Sequence, residues 1–269
     1  MQEKSKIDIF ISSTHYTDPV DIKKIKFIFS AIDRYTILHN KNFESLRILE
    51  VACGPGGITF PLTSLGCEVR AFDINEDAIQ QAKNRINQNK IKNLTVTLDN
   101  GYTFDDRMTY DIIIASEVFE HTLEPLKLAA NITKRMVKGS YLLVTVPNGY
   151  GLYELKNRFG PVSILKRSNW LRYLFGKSPY VKGTGKDHCY YFTKKKLVKL
   201  FSNFSLRLIT FAKSDSFLTI FLPLRKNPLI ANIDLKLADI LPYWLASGWY
   251  FVFEMERDNN LSIRSKDVA

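Results

Sequence analysis

Glu50 stands inside the apolar run "RILEV", and glycines follow it at Gly54, Gly56 and Gly57. A carboxylate among apolar neighbours is unfavourable unless a partner satisfies it, and a cationic group on a ligand would do so. Gly54 and Gly56 let the backbone approach a ligand closely or adopt positive φ. A helix starting near Pro55 would aim its free N–H groups at the same spot and favour a negative group there. Asp73 ends a second apolar run, "VRAFD", seventeen residues beyond Gly56. At the carboxyl end of a strand, that acid can accept from both hydroxyls of a ribose. Together these residues ask for a ligand with a ribose, an ammonium and a carboxylate. The glycines alone are equally compatible with a tight turn that holds nothing. A dinucleotide fits less well: its fingerprint has no use for Glu50 and wants a third small residue where Thr59 stands.

Four histidines are available for acid–base work: His15, His39, His121 and His188. His121 follows an apolar run, on the side of the sheet where the ligand would sit, and is the first candidate for a base or substrate orienter. Its competing role is structural, a hydrogen bond to the adjacent loop. His188, at the edge of a basic segment, ranks second. Glu117, Glu120 and His121 have i, i+3, i+4 spacing and would share one face of a helical turn. Two carboxylates and an imidazole could ligate a divalent cation. Such short-range coincidences are common, so the expectation is a site without metal.

These residues need a scaffold, and the chain alternates strand and helix signals from Leu46 onward. Strands are expected at 46–52, 68–73, 94–98, 110–115 and 141–147, with helices at about 55–65, 76–90 and 122–137. Asn75 or Asp73 could cap the second of these helices, and Gly66 could end the first. Strands this apolar belong in a parallel sheet covered on both faces. Residues 1–20 read as irregular, and 21–32 as an amphipathic helix. After Pro147 a stretch rich in Lys, Arg, Tyr and Phe looks like a cap rather than another crossover. Then a helix begins after a Thr193 cap, and "FSLRLITFAK" and "GWYFVFEME" read as closing strands. Between them lies a helix kinked at Pro242. The expected fold is α/β, Rossmann-like and doubly wound, with a mostly parallel seven-stranded sheet, an N-terminal helix and a basic aromatic cap after strand five. The expected domains are an N-terminal helical segment 1–43, a core domain 44–257 with the cap at about 150–192, and a polar tail 258–269.

The net charge of +11 is concentrated: twelve Lys or Arg and one acid, Asp187, fall between Leu155 and Leu200. Such a field attracts anions, whether an acidic small molecule, a lipid surface or nucleic acid; a merely solvated face is the plain alternative. Three cysteines without metal-ligand spacing argue against a disulfide framework and fit a reducing compartment. No signal-peptide core appears at the N-terminus, and no run approaches the roughly 18–20 apolar residues of a membrane span. The expectation is a cytoplasmic protein that "SNWLRYLF", read as an amphipathic helix, could bring to a membrane surface as a peripheral protein.

"LRILEVACGPGG" and "VRAFDIN" resemble the first motif and second-strand acid of the class I S-adenosylmethionine-dependent methyltransferases, over about residues 44–257. The match departs at Ala52, where a glycine is usual, a change expected to tighten the turn only slightly. "YDIIIASEVFEHTLEP", "TVPN" and "HCYYFTKKKLVKLF" resemble the branch that includes ubiquinone-biosynthesis O-methyltransferases. The resemblance implies S-adenosyl-L-methionine as cofactor and S-adenosyl-L-homocysteine as product. It implies that Glu50 places the methionine amino group, that Ala52, Gly54 and Gly56 pass the methionine portion, and that Asp73, with Ile74, holds the ribose. Asp99 or Asn100 would contact the adenine, with Ser116 and Glu117 completing the cofactor site. The acceptor implied is a small molecule, anionic or membrane-presented, methylated at a hydroxyl. Amino-methylation of bases is disfavoured, because "SEVF" stands where Asn/Asp–Pro–Pro–aromatic is usual. An RNA or other polyanion clamped by the basic segment, with Trp170, Tyr173 and Phe175 stacking, is the alternative acceptor. A non-catalytic S-adenosylmethionine-binding protein is the third reading. The acceptor's identity and the oligomeric state are not legible.

Overall fold

The computed structural model describes residues 5–151, 188–216 and 227–258. The described strands form one seven-stranded sheet: β1 (Arg47–Val51), β2 (Glu68–Asp73), β3 (Leu94–Leu98), β4 (Tyr110–Ser116), β5 (Met136–Pro147), β6 (Leu206–Lys213) and β7 (Gly248–Met255), in the order β3-β2-β1-β4-β5-β7-β6. The first five run parallel, and β7 lies antiparallel between β5 and β6. The described helices are α1 (Lys6–Ser12), α2 (Pro19–Leu38), α3 (Thr59–Ser64), α4 (Glu76–Asn89), α5 (Pro125–Thr133), α6 (Lys194–Ser202) and α7 (Pro228–Ile240).

Side chains alternate across a strand, so the apolar central strands feed two cores at once. On one face Ile48, Ile112, Ile114 and Leu143 pack with Phe10 of α1 and with Ile25, Ile28 and Ile32 of α2. On the other, Leu49, Ile113, Leu142 and Val144 pack with Leu128 and Ile132 of α5 and with Leu197 and Phe201 of α6. Strand order reverses between β1 and β4, and in an open sheet that switch point opens a ligand crevice at the carboxyl ends.

Capping follows the expected chemistry at three places. Asn75 accepts from the Ala78 amide, Thr193 accepts from Lys196, and Gly66 adopts φ +93° just past α3. Elsewhere local signals misled. Residues 6–12, expected to be irregular, form α1 because Ser5 caps it and Phe10 is buried. The amphipathic helix is longer than 21–32, since Asp18 caps it and Pro19 opens it. The helix expected from 55 begins only at Thr59. Helix α5 stops at Thr133, whose hydroxyl bonds back to the Ala129 carbonyl, so β5 starts five residues before 141. Pro242 ends α7 rather than kinking it: Leu241 before it is extended at ψ 156°. Most of the basic segment, with Trp170, Tyr173, Phe175 and "SNWLRYLF", lies outside the described residues, as does the tail beyond Asp258.

Candidate active site

β1 brings Glu50 to the crevice with 3% of its surface exposed, and the Thr59 hydroxyl donates to its carboxylate. Burial pushes the Glu50 carboxyl up to about 8; the Thr59 hydrogen bond opposes the rise and the Asp73 charge adds to it. An acid so placed calls for a cation. Beside it the chain turns through Ala52 at φ +54°, Gly54 at +53° and Gly56 at +93°. Alanine in that region is strained by about 1–2 kcal/mol, so Ala52 is a larger departure than its size suggested. Among the described residues no heavy atom beyond its own chain neighbours lies within 4 Å of where a Cβ on Gly54 would sit, which leaves open space over the turn. The expected array of helix N–H groups is absent there, because α3 starts three residues past Gly56 and has only six residues.

Asp73 ends β2, and both its oxygens already accept backbone hydrogen bonds, 2.7 Å from the Gly54 amide and 2.8 Å from the Asn75 amide. It is therefore a splint between the turn and α4. Ile74 beside it is exposed. At the end of β3 the Asp99 amide donates to the Asp73 carbonyl at 3.0 Å, and the Asp99 carboxylate accepts from the Asn100 amide at 2.7 Å. Gly54–Gly56, Asp73–Ile74 and Asp99–Asn100 thus sit on three adjacent strand ends.

β4 supplies the other wall. The Thr145 hydroxyl lies 2.9 Å from Ser116 Oγ and donates to Glu117 Oε1 at 2.7 Å. Glu117 has φ +57°, so it does not continue a helical face with Glu120 and His121 as the spacing suggested. A different trio forms instead. Within the short turn Phe119–His121, the Glu120 carbonyl accepts from the amides of Cys189 (2.6 Å) and Tyr190 (3.0 Å). That clamp brings His188 to His121, with ring centroids 4.9 Å apart. The buried Glu120 carboxylate lies 3.9 Å from His121 Nε2. One ligand atom from each of Glu120, His121 and His188 falls within 4.8 Å of the others. Two imidazoles and a carboxylate are a donor set that suits a divalent transition ion.

The residues singled out for the cofactor, and His121, follow the carboxyl ends of β1 to β4, while His188 comes from the segment before α6 and is brought to His121 by the Glu120 clamp. Two side chains that hold them were not singled out, Thr59 under Glu50 and Thr145 under Glu117. Thr59 had a signal: a hydroxyl nine residues after a strand-buried acid, on the facing helix.

The strand order, with an acid-bearing glycine turn at its switch point, defines the class I methyltransferase architecture. A family model described as a methyltransferase domain matches residues 23–210, and the chain belongs to that family, the class I S-adenosylmethionine-dependent methyltransferases. Among curated proteins, the chain is 28% identical over 146 residues to a ubiquinone biosynthesis O-methyltransferase of Rickettsia akari (strain Hartford), covering 54% of this chain and 51% of that one. The Rickettsia typhi (strain ATCC VR-144 / Wilmington) protein of the same description is 30% identical over 123 residues, 45% of each chain. The chain therefore spans about half the length of the curated relatives it matches. Two solved structures share the fold. A putative sarcosine dimethylglycine methyltransferase from Galdieria sulphuraria superposes with a TM-score of 0.57 at 15% identity, covering 91% of this chain and 92% of that one. Magnesium protoporphyrin IX methyltransferase from Synechocystis PCC 6803, with bound SAH, gives 0.51 at 12%, covering 84% and 80%.

The residues present fit S-adenosylmethionine. The enclosed Glu50 suits its ammonium, the open space at Gly54 admits its methionine chain, and Asp73 stands at the strand end beside them.

Proposed function

We propose that this chain transfers a methyl group from S-adenosylmethionine to a hydroxyl of a small-molecule acceptor by in-line displacement. The observation that carries the reading is the meeting of His121 and His188 just past the end of β4, the strand that neighbours the Glu50-bearing β1. S-adenosylmethionine supplies an electrophilic methyl on a sulfonium, which leaves as a neutral thioether. The acceptor oxygen forms the new C–O bond as the S–C bond breaks, and its proton passes to an imidazole. His121, next to the buried Glu120 carboxylate, is the base, and His188 orients the acceptor. Holding oxygen and methyl in line supplies much of the remaining acceleration. Glu50, Ala52, Gly54, Gly56, Asp73, Ile74, Asp99, Asn100, Ser116 and Glu117 hold the cofactor. The Rickettsia relatives, described as O-methyltransferases, support a hydroxyl acceptor. The basic stretch 155–200 supports an anionic or membrane-presented one. Among the described residues no helix is long and apolar enough to cross a membrane.

A second reading rests on the Glu120–His121–His188 cluster. There the three side chains would hold a divalent ion that, in place of an imidazole base, would lower the pKa of the acceptor hydroxyl. Single-turnover methyl transfer to a panel of phenolic and catecholic acids separates the two. On the first reading His121→Ala slows transfer by about 10²–10⁴-fold with S-adenosylhomocysteine affinity unchanged, and a chelator has no effect. Loss of activity in chelator, restored by one metal, favours the second. Unchanged turnover in His121→Ala without chelator sensitivity returns His121 to a structural role. Methylation of RNA with steep salt dependence, and of no small molecule, would replace the acceptor class.

A further inference from the structure

Tyr16, on the segment joining α1 to α2, is far from the glycine turn in sequence but lies directly over it. A Cβ placed on Gly57 would lie 2.5 Å from the Tyr16 hydroxyl and 3.1 Å from its Cζ, so only glycine leaves room for this phenol. Gly57 does not have positive φ, which makes close approach, and not backbone conformation, the reason for glycine there. Three further contacts hold the segment in place. His15 Nε2 lies 2.8 Å from Arg85 Nη1 of α4. The Arg85 guanidinium in turn stacks 3.9 Å from the Phe60 ring of α3. Tyr16 itself packs, as Ile7 and Ile11 do, against the core. The segment therefore straps the two helices that flank the cofactor turn.

The surroundings of the hydroxyl are chemically specific. Its ionisation is held above the ordinary phenol range, first by burial and then by the charges of Glu50, Asp21 and Glu117, against the opposing Lys24. It is thus a neutral donor within electrostatic reach of both Glu50 and Glu117, the two acids that end β1 and β4. No side-chain hydrogen bond of Tyr16 occurs among the described residues, so the hydroxyl keeps its proton for another acceptor. The Lys24 ammonium lies 5.9 Å from the Tyr16 ring centre and 3.6 Å from Asp21.

The cofactor's methionine end carries an ammonium and, on the same carbon, a carboxylate. If Glu50 takes the ammonium, the carboxylate must lie beside it over the turn and needs donors from above. We propose that Tyr16 is a positioning residue of the cofactor site, its hydroxyl donating to the methionine carboxylate and so fixing the direction in which the sulfonium presents its methyl. The strap then acts as the roof of the site, with Gly57 kept free of a side chain to let it close. The proposal rests on the S-adenosylmethionine reading above and extends it to an element outside the glycine turn.

Titration calorimetry on the full chain tests it with two ligands, S-adenosylhomocysteine and decarboxylated S-adenosylmethionine. Tyr16→Phe keeps the ring packing and removes only the hydroxyl. It should weaken S-adenosylhomocysteine about tenfold, the usual loss for a hydrogen bond to a charged group. It should leave the decarboxylated ligand, which has no partner for the hydroxyl, within about twofold. The unliganded melting temperature should stay the same, while the upward shift produced by S-adenosylhomocysteine shrinks. Gly57→Ala should weaken S-adenosylhomocysteine by pushing the phenol aside, and should cost less in the Tyr16→Phe background, where the oxygen at 2.5 Å is gone and only the ring carbon at 3.1 Å remains. Equal losses for both ligands, or none in Tyr16→Phe, overturn the assignment. If the wild-type chain binds neither ligand, the S-adenosylmethionine reading itself falls, and Tyr16 with it.

Discussion

Glu50 and Asp111 are both buried acids on the adjacent parallel strands β1 and β4, toward opposite ends of those strands. Asp111, near the amino end of β4, accepts from Tyr35 Oη at 3.2 Å, Lys41 Nζ at 2.5 Å and the Arg47 amide at 2.9 Å. Its charge is met by a cation and two neutral donors supplied by α2, the following loop and the start of β1. Among the described residues Glu50, near the carboxyl end of β1, accepts one hydroxyl, from Thr59, and meets no lysine or arginine, and burial pushes its carboxyl up to about 8. The amino end closes its electrostatics within the chain. The carboxyl end leaves an acid that burial holds protonated until a cation meets it. A buried acid by itself therefore does not mark a site; a buried acid without a counter-cation beside open space does.

The largest expected effect comes from breaking the closed end. Asp111→Ala leaves the Lys41 ammonium facing a void and removes an acceptor from Tyr35 and Arg47. Denaturant unfolding should show a loss of about 2–4 kcal/mol, below the full buried-pair figure because Lys41 is partly exposed, with S-adenosylhomocysteine affinity unchanged in whatever remains folded. Glu50→Gln should do the reverse. Stability at pH 8 should hold or rise by about 1 kcal/mol, while calorimetric affinity for the cofactor falls by about 10–100-fold. A matching loss of stability in Glu50→Gln would erase the distinction between the two ends.

The pH dependence sharpens the comparison. The folded carboxyl of Glu50 titrates near 8, above the roughly 4.3 of an unfolded glutamate, so the unfolded chain binds fewer protons between those values. Its contribution to stability is complete below about 4.3 and is lost as pH rises through about 8. The unliganded melting temperature should therefore carry a downward component over that window that Glu50→Gln lacks. Cofactor binding, which pairs the ionised form with an ammonium, should strengthen up to about tenfold per pH unit below 8. It should also release close to one proton at pH 6.5, read by calorimetry in buffers of different ionisation enthalpy. Binding without proton release would mean that Glu50 is already ionised. The smallest effect belongs to Thr59→Val, which removes the hydrogen bond that lowers the Glu50 carboxyl. Its midpoint should move further above 8, with about 1 kcal/mol less cofactor binding at pH 7.

Much of this was legible in the chain. The alternation of apolar strands with helical periodicity depends on spacings of two and of three to four residues, which any short window contains. Hence the strands around Glu50 and Asp73 fell where expected. Caps such as Asn75 and Thr193 were readable for the same reason, since donor and acceptor lie three residues apart. Start points that depend on tertiary contacts were not. Helix α1 owes its place to the burial of Phe10, and the turn at 54–58 delays α3 because it is organised by the Asp73 carboxylate from another strand. The site shows the same division. His121 and Glu120 are neighbours in sequence and drew notice together, but the third member of their cluster lies sixty-seven residues away at His188. Glu117 looked like that member on helical spacing until its positive φ turned it to Thr145.

The sequence by itself determined the elements, the acids at the strand ends and, through them, a ligand carrying a ribose and an ammonium. These follow from local periodicity and from the chemistry of single side chains. Only the tertiary structure decided which buried acid lacks a counter-cation among the described residues, which histidine faces His121, and that Tyr16 roofs the glycine turn. Those outcomes depend on desolvation and on contacts between segments distant along the chain, and short-range sequence patterns carry neither.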